Sequence, residues 1–230
     1  MTKAPYHIVL FPDGNRRWAR KNGLSIFDGY WQGYRNLKRL CGWCQKSGVK
    51  ILTAFGFSSE NWQRPKEQIN FLMEFFKKTL TDQENRENFQ KEKLRVRIIG
   101  QKEKLPKSLQ EIIFQVEDKT KNNKRFCLNL GVSYGGKWDI VQAVKEIAKK
   151  RIPLEKISEK LIAQYLSTAG LPDPDLIIRA GGEKRLSNFL LWQAAYSELY
   201  FSDKLWPDFS EKDFKMAIRD YRERQRRFGK

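Results

Sequence analysis

Short apolar runs alternate along the chain with longer amphipathic stretches, and the two spacings separate cleanly. The runs His7–Phe11, 51–57, Leu94–Ile99, 126–132 and Leu176–Arg179 are mostly continuous and apolar. Strands covered on both faces by helices read this way, whereas a half-exposed strand would alternate. A further strand is expected to begin at Tyr200-Phe201. Between the strands, helical patterns occupy 29–46, 65–90, 107–119, 137–150, 158–168, 188–199 and 211–226. Pro65 stands where a first helical turn tolerates proline, and Ser210 is placed to cap the last helix. Strand–helix alternation predicts an α/β fold with a mainly parallel sheet. No repeat and no Gly/Ser/Pro linker divides the chain, so residues 1–230 are expected to form a single domain.

In open parallel sheets the ligand site lies beyond the carboxyl ends of the strands. That rule singles out the segments after Phe11, Phe57, Val132 and Arg179. Charge sharpens the picture: 45 lysines and arginines face 27 acids, for a net charge of +18. Such an excess favours polyanions, whether nucleic acid, anionic lipid or phosphorylated substrates, without choosing among them. No apolar run approaches the ~20 residues of a spanning helix. The opening MTKAPYHIVLF lacks the apolar core and cleavage site of a signal peptide, so a cytoplasmic protein is expected. Cys41 and Cys44 form a CxxC, but His7 is the only histidine and Cys127 stands alone. Half a zinc site is missing, and buried reduced thiols are the expected reading.

Four segments carry candidate chemistry. The first, Asp13-Gly14-Asn15-Arg16-Arg17-Trp18, follows a strand. Asp13 offers a hard oxygen suited to Mg²⁺, Gly14 permits close backbone approach, and the arginines are forked donors for diphosphate. The same residues also make a good strand-ending turn. The second, Ser58-Ser59-Glu60-Asn61-Trp62 with Arg64, gathers hydroxyls, an amide and a guanidinium, and equally suits a helix entry. The third, Arg179 to Phe189, sets Gly181-Gly182 before Arg185 and Ser187, as an anion-binding loop would. It is neither a GxxxxGK[ST] loop nor a GxGxxG, so nucleotide-binding readings lose support. The fourth is the basic end of the chain, Arg226-Arg227-Phe228-Gly229.

Taken together and in this order, the segments resemble the cis-prenyltransferase family, of which undecaprenyl diphosphate synthase is the familiar bacterial member. The resemblance also includes Tyr134-Gly-Gly-Lys-Trp-Asp139, Arg185-Leu-Ser-Asn-Phe-Leu-Leu-Trp-Gln193, Glu198-Leu-Tyr-Phe201 and Trp206-Pro-Asp-Phe209. It implies a central six-stranded sheet surrounded by helices, an apolar tunnel and a homodimer. It implies a Mg²⁺-dependent enzyme that condenses isopentenyl diphosphate with an allylic prenyl diphosphate. By resemblance Asp13 and Glu198 bind the metal, and Asp13 and Asn61 are catalytic, Asn61 as proton acceptor. Gly14, Asn15, Arg16, Arg17 and Trp18 hold the allylic diphosphate. Ser58, Ser59, Glu60, Trp62 and Arg64 line the same cleft. Arg179, Arg185 and Ser187 hold the isopentenyl diphosphate, and Arg227 and Gly229 reach a neighbouring subunit's site.

The chain departs from the family pattern where an arginine and a histidine commonly follow the first motif. Here Ile26 and Tyr30 stand instead; Tyr30 keeps one hydrogen-bonding group and Ile26 none. Tyr34, Phe71, Phe75 and Phe76 add bulk to the two helices expected to wall the tunnel, which points to a product of short or medium length. An irregular, head-to-middle coupling enzyme of the same fold is the alternative reaction. A non-catalytic partner subunit is opposed by Asp13, Asn61 and the Arg-x-Gly ending. A basic nucleic-acid-binding module is the alternative of another class, without a recognition motif to support it. Nucleic acid is therefore not expected as a partner, and peripheral contact with an anionic membrane is.

Overall fold

The computed structural model describes residues 4–224. Its six strands are β1 (His7–Phe11), β2 (Ile51–Ser58), β3 (Leu94–Ile99), β4 (Phe126–Tyr134), β5 (Leu176–Arg179) and β6 (Glu198–Phe201). They form one sheet in the order β3-β4-β2-β1-β5-β6, and every neighbouring pair is parallel. Helices α1 (Asn15–Lys21), α2 (Ile26–Lys46), α3 (Lys66–Thr81), α4 (Gln83–Lys91), α5 (Lys107–Thr120), α6 (Gly136–Lys149), α7 (Glu159–Tyr165) and α8 (Glu211–Glu223) surround it. The central strands β1 and β5 are buried along their whole length, whereas the edge strand β3 buries alternate residues around Arg95 and Arg97 and β6 is only half-buried. Ile8, Leu10, Leu52 and Ile178 face the larger core, while Val9, Phe11 and Ile177 face the smaller one with Tyr134 and Phe189.

From β1 the chain moves to β2 on one side, and it reaches β5 only after completing β3 and β4. Successive connections therefore diverge between β1 and β5, which makes that crevice the expected ligand site. The β1–β5 register pairs Phe11 with Arg179, so the loops after both strands start side by side. β2 and β4 slip register between Phe55 and Ser58. Ser133, opposite the slip, has φ 55°. Such irregularities re-aim side chains at the end of a ladder, and this one ends beside the same crevice.

Two helical expectations are corrected. The stretch 65–90 is two helices, broken at Asp82, whose side chain accepts from Asn85 N at 3.0 Å and so caps α4. The stretch 188–199 is not a helix: Ser187, Asn188 and Leu190 have positive φ, and a run of turns leads into β6. Burial overrides the local pattern there. Phe189 is fully buried, stacked on Phe55 at 4.0 Å and edge-on to Phe11 and Tyr134. Three boundaries also move: α2 begins at Ile26, where Ser25 and Asp28 form a capping box, α7 ends at Tyr165, and β6 begins at Glu198 and ends at Phe201 rather than beginning at Tyr200. No helix among the described residues is long and apolar enough to cross a membrane.

Candidate active site

Asp13 follows β1 in a turn that only glycine completes. Gly14 has φ 103°, and a Cβ on it would stand 2.8 Å from Leu205 Cδ2. Arg179, the last residue of β5, is 4% exposed. Its Nη2 donates to Asp13 Oδ2 at 2.9 Å. Its Nη1 donates to Ser187 Oγ at 2.8 Å and to the Arg185 carbonyl. The guanidinium lies 5.0 Å over the Phe11 ring, and its Nε is buried without a partner. This one fork joins the β1 loop to the Gly-Gly loop, a geometry lysine cannot reproduce. Arg17 closes the arrangement: its Nη2 donates to the Gly181 carbonyl at 2.7 Å and stands 3.6 Å from Asp13 Oδ1.

The opposite wall is the short 3₁₀ turn Ser59–Gln63 after β2. Asn61 Oδ1 accepts from Ser58 N at 3.1 Å, which fixes the amide's orientation. Arg64 Nη1 donates to the Tyr30 hydroxyl at 3.1 Å, and Gln68 Nε2 donates to the same oxygen at 2.9 Å. Burial pushes the Glu60 carboxyl upwards, but hydrogen bonds from Asn188, its own amide, Ser58 and Ser59 outweigh it and hold Glu60 below the usual carboxylate range.

Most of the expected site residues converge on one cavity of about 1350 Å³. Asp13, Gly14, Asn15, Arg16 and Arg17 line it from the first segment. Ser58, Glu60, Asn61, Arg64 and Tyr30 line it from the second side, and Arg179, Arg185 and Ser187 from the third. From this polar end the cavity continues between α2, α3 and the sheet, past Tyr34, Leu37, Leu72, Phe75, Phe76, Leu94, Val96 and Leu128. From Tyr30 to Gln45 on α2 it runs roughly 22 Å, at 1.5 Å per helical residue. Its volume exceeds the ~300–1,000 Å³ of pockets for compact ligands. Phe71 packs on Phe27 at 4.2 Å rather than lining this space, while Tyr34, Phe75 and Phe76 form its wall.

Several expected residues lie elsewhere. Trp18 Nε1 donates to Asp208 at 2.7 Å, so Trp18 fastens α1 to the Trp206–Asp208 turn outside the cavity. Trp62 Nε1 donates to Ser133 Oγ at 2.8 Å and the ring packs edge-on to Phe57. Ser59 sits under the Gly135 backbone. Ile26, in the first turn of α2, is not among the residues that line the cavity. Glu198 opens β6 opposite Leu176, at the amino end of the β5–β6 pairing, and accepts from Arg224 at 2.7 Å. Within this chain it is therefore not brought to Asp13, which lies at the other end of the sheet. Arg227 and Gly229 lie outside the described residues. Cys41 and Cys44 are buried thiols, and burial pushes Cys41 up to about 12.

One residue carries more than its motif disclosed. Asn188 Nδ2 donates to Glu60 Oε1 at 2.7 Å, and its Oδ1 accepts from Lys137 N at 2.9 Å. It thereby ties the Ser59–Gln63 turn to the start of α6 and to Ser187. Its φ of 60° is a conformation that Asn adopts more readily than most residues.

Among the described residues no group of three or more His, Cys, Asp or Glu is gathered for a metal. Asp13 nevertheless suits Mg²⁺, which takes one or two carboxylates and completes its shell with water and substrate phosphate. Its side chain is 36% exposed at the cavity's polar end. The neighbouring backbone forms a cradle, since a Cβ on Gly181 would stand 2.8 Å from Arg17 Nη2 and 3.1 Å from the Asp13 carbonyl.

Comparisons with known proteins identify the family. A family model described as "Putative undecaprenyl diphosphate synthase" matches residues 11–229. An isoprenyl transferase of Thermotoga maritima is 48% identical over 99% of this chain and 97% of its own. A ditrans,polycis-undecaprenyl-diphosphate synthase ((2E,6E)-farnesyl-diphosphate specific) of Legionella pneumophila is 42% identical over 99% and 96%. Among solved structures, lavandulyl diphosphate synthase from Lavandula x intermedia in complex with dimethylallyl diphosphate superposes with TM-score 0.94 at 37% identity, covering 99% of both chains. The carboxylate–arginine cluster at the β1–β5 crevice and these matches over nearly the whole length lead to one conclusion: the chain belongs to the undecaprenyl diphosphate synthase family of cis-prenyltransferases.

Proposed function

We propose that this chain, a single catalytic domain, condenses isopentenyl diphosphate with an allylic prenyl diphosphate to give a cis-prenyl diphosphate of medium length. The observation that carries the reading is the joining of Asp13, Arg179 and Ser187 at the mouth of a long apolar cavity. In the reaction the allylic C–O bond breaks and diphosphate leaves with the electron pair. The isopentenyl C4 attacks the allylic C1, and a proton departs from C2 as the new double bond forms. Arg16, Arg17 and Arg64 stand where charge grows on the leaving group, and fixed cations there lower the barrier. Arg185 and Ser187 hold the second diphosphate beside the first, which raises the effective concentration of the two reactants. Asn61, its amide fixed by Ser58 N, is placed to receive the C2 proton. Asp13 would hold Mg²⁺ together with diphosphate oxygens; when bound, the ion supplies further charge neutralisation at the leaving group.

Tyr34, Phe75 and Phe76 line the cavity, and its lining continues beyond them to Leu94, Val96 and Leu128. That continuation supports a medium rather than a short product. We place the enzyme in the cytoplasm as a homodimer, with Glu198 and the Arg227–Gly229 ending contributing to metal and diphosphate binding across the assembly. A second reading has its own support: with Ile26 and Tyr30 in place of the usual Arg/His pair, and a lavandulyl diphosphate synthase as a structural neighbour, dimethylallyl diphosphate alone serves as donor and acceptor. One experiment separates the two. The purified chain is incubated with Mg²⁺ and each short allylic diphosphate, with and without isopentenyl diphosphate, and the products are weighed by mass spectrometry. Elongation only when isopentenyl diphosphate is present supports the first reading, and a branched dimer from dimethylallyl diphosphate alone supports the second. Asp13→Ala should abolish turnover while leaving the circular dichroism spectrum intact; undiminished turnover would sink both.

A further inference from the structure

The far end of the cavity opens on a face that the reaction does not use. Beyond Leu94, Val96 and Leu128 the lining becomes polar again, with Gln45, Lys46, Asn88, Glu92 and Arg125. Lys46 and Arg125 are solvent-exposed, so the cavity reaches the surface here, at the amino ends of the strands. Three adjacent strands are each preceded by an exposed cation at this edge: Lys93 before β3, Arg125 before β4 and Lys50 before β2. The backbone sets them side by side. Arg125 N donates to the Lys93 carbonyl at 3.2 Å, and Cys127 N donates to the Lys50 carbonyl at 2.9 Å. Neighbouring strands are about 4.8 Å apart, so the cations form a closely spaced row. Exposed Lys91 and Lys124 flank the row. At the mouth itself Glu92 is the facing acid, and Arg125 pairs with it at 2.9 Å. Of the other carboxylates at this sheet edge, Asp175 accepts from Tyr6 N at 2.7 Å and from His7 N at 3.1 Å and so borders the row on the Lys50 side, while Glu198 lies farther off, at the start of β6. Tyr6, 53% exposed, accepts the Lys50 amide through its carbonyl and stands at the rim with an apolar ring and a polar tip.

We propose that this cationic rim docks on an anionic lipid bilayer, so that the far mouth of the cavity faces the membrane and the prenyl tail passes from the protein into it. The inference rests on the reading of the chain as a synthase of a lipid diphosphate. Lysines brought to the surface of an anionic membrane are attracted to it, and Tyr is favoured at the headgroup level. An apolar channel opening inside the row of cations suits a lipid and offers nothing to a polynucleotide. The diphosphate stays at the opposite, carboxyl end of the sheet until the product is released.

The test is flotation of the purified full-length chain with vesicles of phosphatidylglycerol and phosphatidylcholine, or of phosphatidylcholine alone. Two triple variants are compared: Lys50→Glu/Lys93→Glu/Lys124→Glu at the rim, and Lys145→Glu/Lys149→Glu/Lys160→Glu on α6 and α7. The parent should bind only the anionic vesicles. At about fivefold per lysine, the rim variant should lose roughly a hundredfold in partitioning or more, and the α6/α7 variant less than about fivefold. Turnover of a short allylic diphosphate without vesicles should be unchanged in both, because none of the six lysines lines the cavity. A milder Lys50→Gln/Lys93→Gln/Lys124→Gln variant should lie between parent and rim variant. Equal losses in both charge-reversed variants, full retention by the rim variant, or displacement of the parent from vesicles by a stoichiometric amount of RNA would overturn the proposal. Vesicle binding that fails at the rim while condensation persists refutes the docking face alone. A parent chain without condensation activity refutes the enzyme reading, whatever the vesicles show.

Discussion

His7 gives the fold a built-in dependence on pH. It begins β1 and is 1% exposed. Its Nδ1 bonds the Pro172 carbonyl at 2.8 Å, and its Nε2 meets Thr53 Oγ1 at 2.7 Å. Because a carbonyl only accepts, Nδ1 carries the proton and Nε2 accepts from the threonine hydroxyl. Asn129 Nδ2 donates to the same hydroxyl oxygen at 3.1 Å, so the chain of donors and acceptors is complete with a neutral ring. Burial lowers the His7 pKa from 6.5 to about 4, against smaller opposing contributions from the Pro172 carbonyl and Asp175. Between these two values the unfolded chain binds a proton that the folded chain refuses, so stability rises with pH across that window and is lost as pH falls. With folded and unfolded values of about 4 and 6.5, the loss relative to neutral pH is about 2 kcal/mol at pH 5 and about 3 kcal/mol at pH 4. Urea unfolding of the parent and of His7→Gln, followed by tryptophan fluorescence from pH 7.5 to 4.5, measures it. The glutamine keeps a donor and an acceptor but cannot titrate. The stability difference between the two proteins should shift by about 2 kcal/mol in the variant's favour by pH 5. Parallel curves would show that His7 does not carry this dependence.

Two further outcomes follow from the site. Asn188→Ala removes the bonds to Glu60 and Lys137 and places alanine at φ 60°, so kcat/KM should fall about 10- to 100-fold, a loss of about 1.4–2.7 kcal/mol. Asn188→Gly relieves the backbone without restoring the bonds. If it recovered full activity in a steady-state assay, the side chain's bridging role would be refuted. Phe75→Ala empties part of the aromatic wall that it forms with Tyr34 and Phe76, and removes its edge-on packing against Trp31. It should cost roughly 3–5 kcal/mol of stability and shift the products, separated by chromatography, towards longer chains. An unchanged product distribution would mean that this wall does not limit growth.

The central strands were legible because they are buried on both faces, and burial leaves an apolar run; the half-buried edge strand β6 showed only its last two residues, Tyr200 and Phe201. The departures have physical causes. Residues 188–199 are apolar enough for a helix, but Phe189 is claimed by the core between Phe55, Phe11 and Tyr134, and the chain turns to bring it there. The break between α3 and α4 was signalled by Asp82, a capping residue inside an otherwise helical pattern. The seven residues of α1 are too few to show a period. At the site, Asp13, Arg179 and Arg185 could be named from their motifs because their types suit diphosphate. The partners of Trp18, Trp62 and Asn188 lie 190, 71 and 128 residues away, and no local spacing announces them. Glu198 illustrates the converse: a motif fixes its place in the chain and says nothing about which end of a strand it occupies.

The hollow between α2, α3 and the sheet has a consequence for the molecule at rest. Where other α/β domains interdigitate side chains, this one leaves facing apolar walls without partner atoms, and the dispersion contacts they would have made are absent. A hydrocarbon tail entering the space restores them. The lipid is then a missing piece of the interior as well as a reactant, and each cycle of elongation packs the domain more tightly until discharge loosens it again. Thermal resistance should therefore climb with the length of the occupying chain, as ligand linkage requires of any species that binds only the native form.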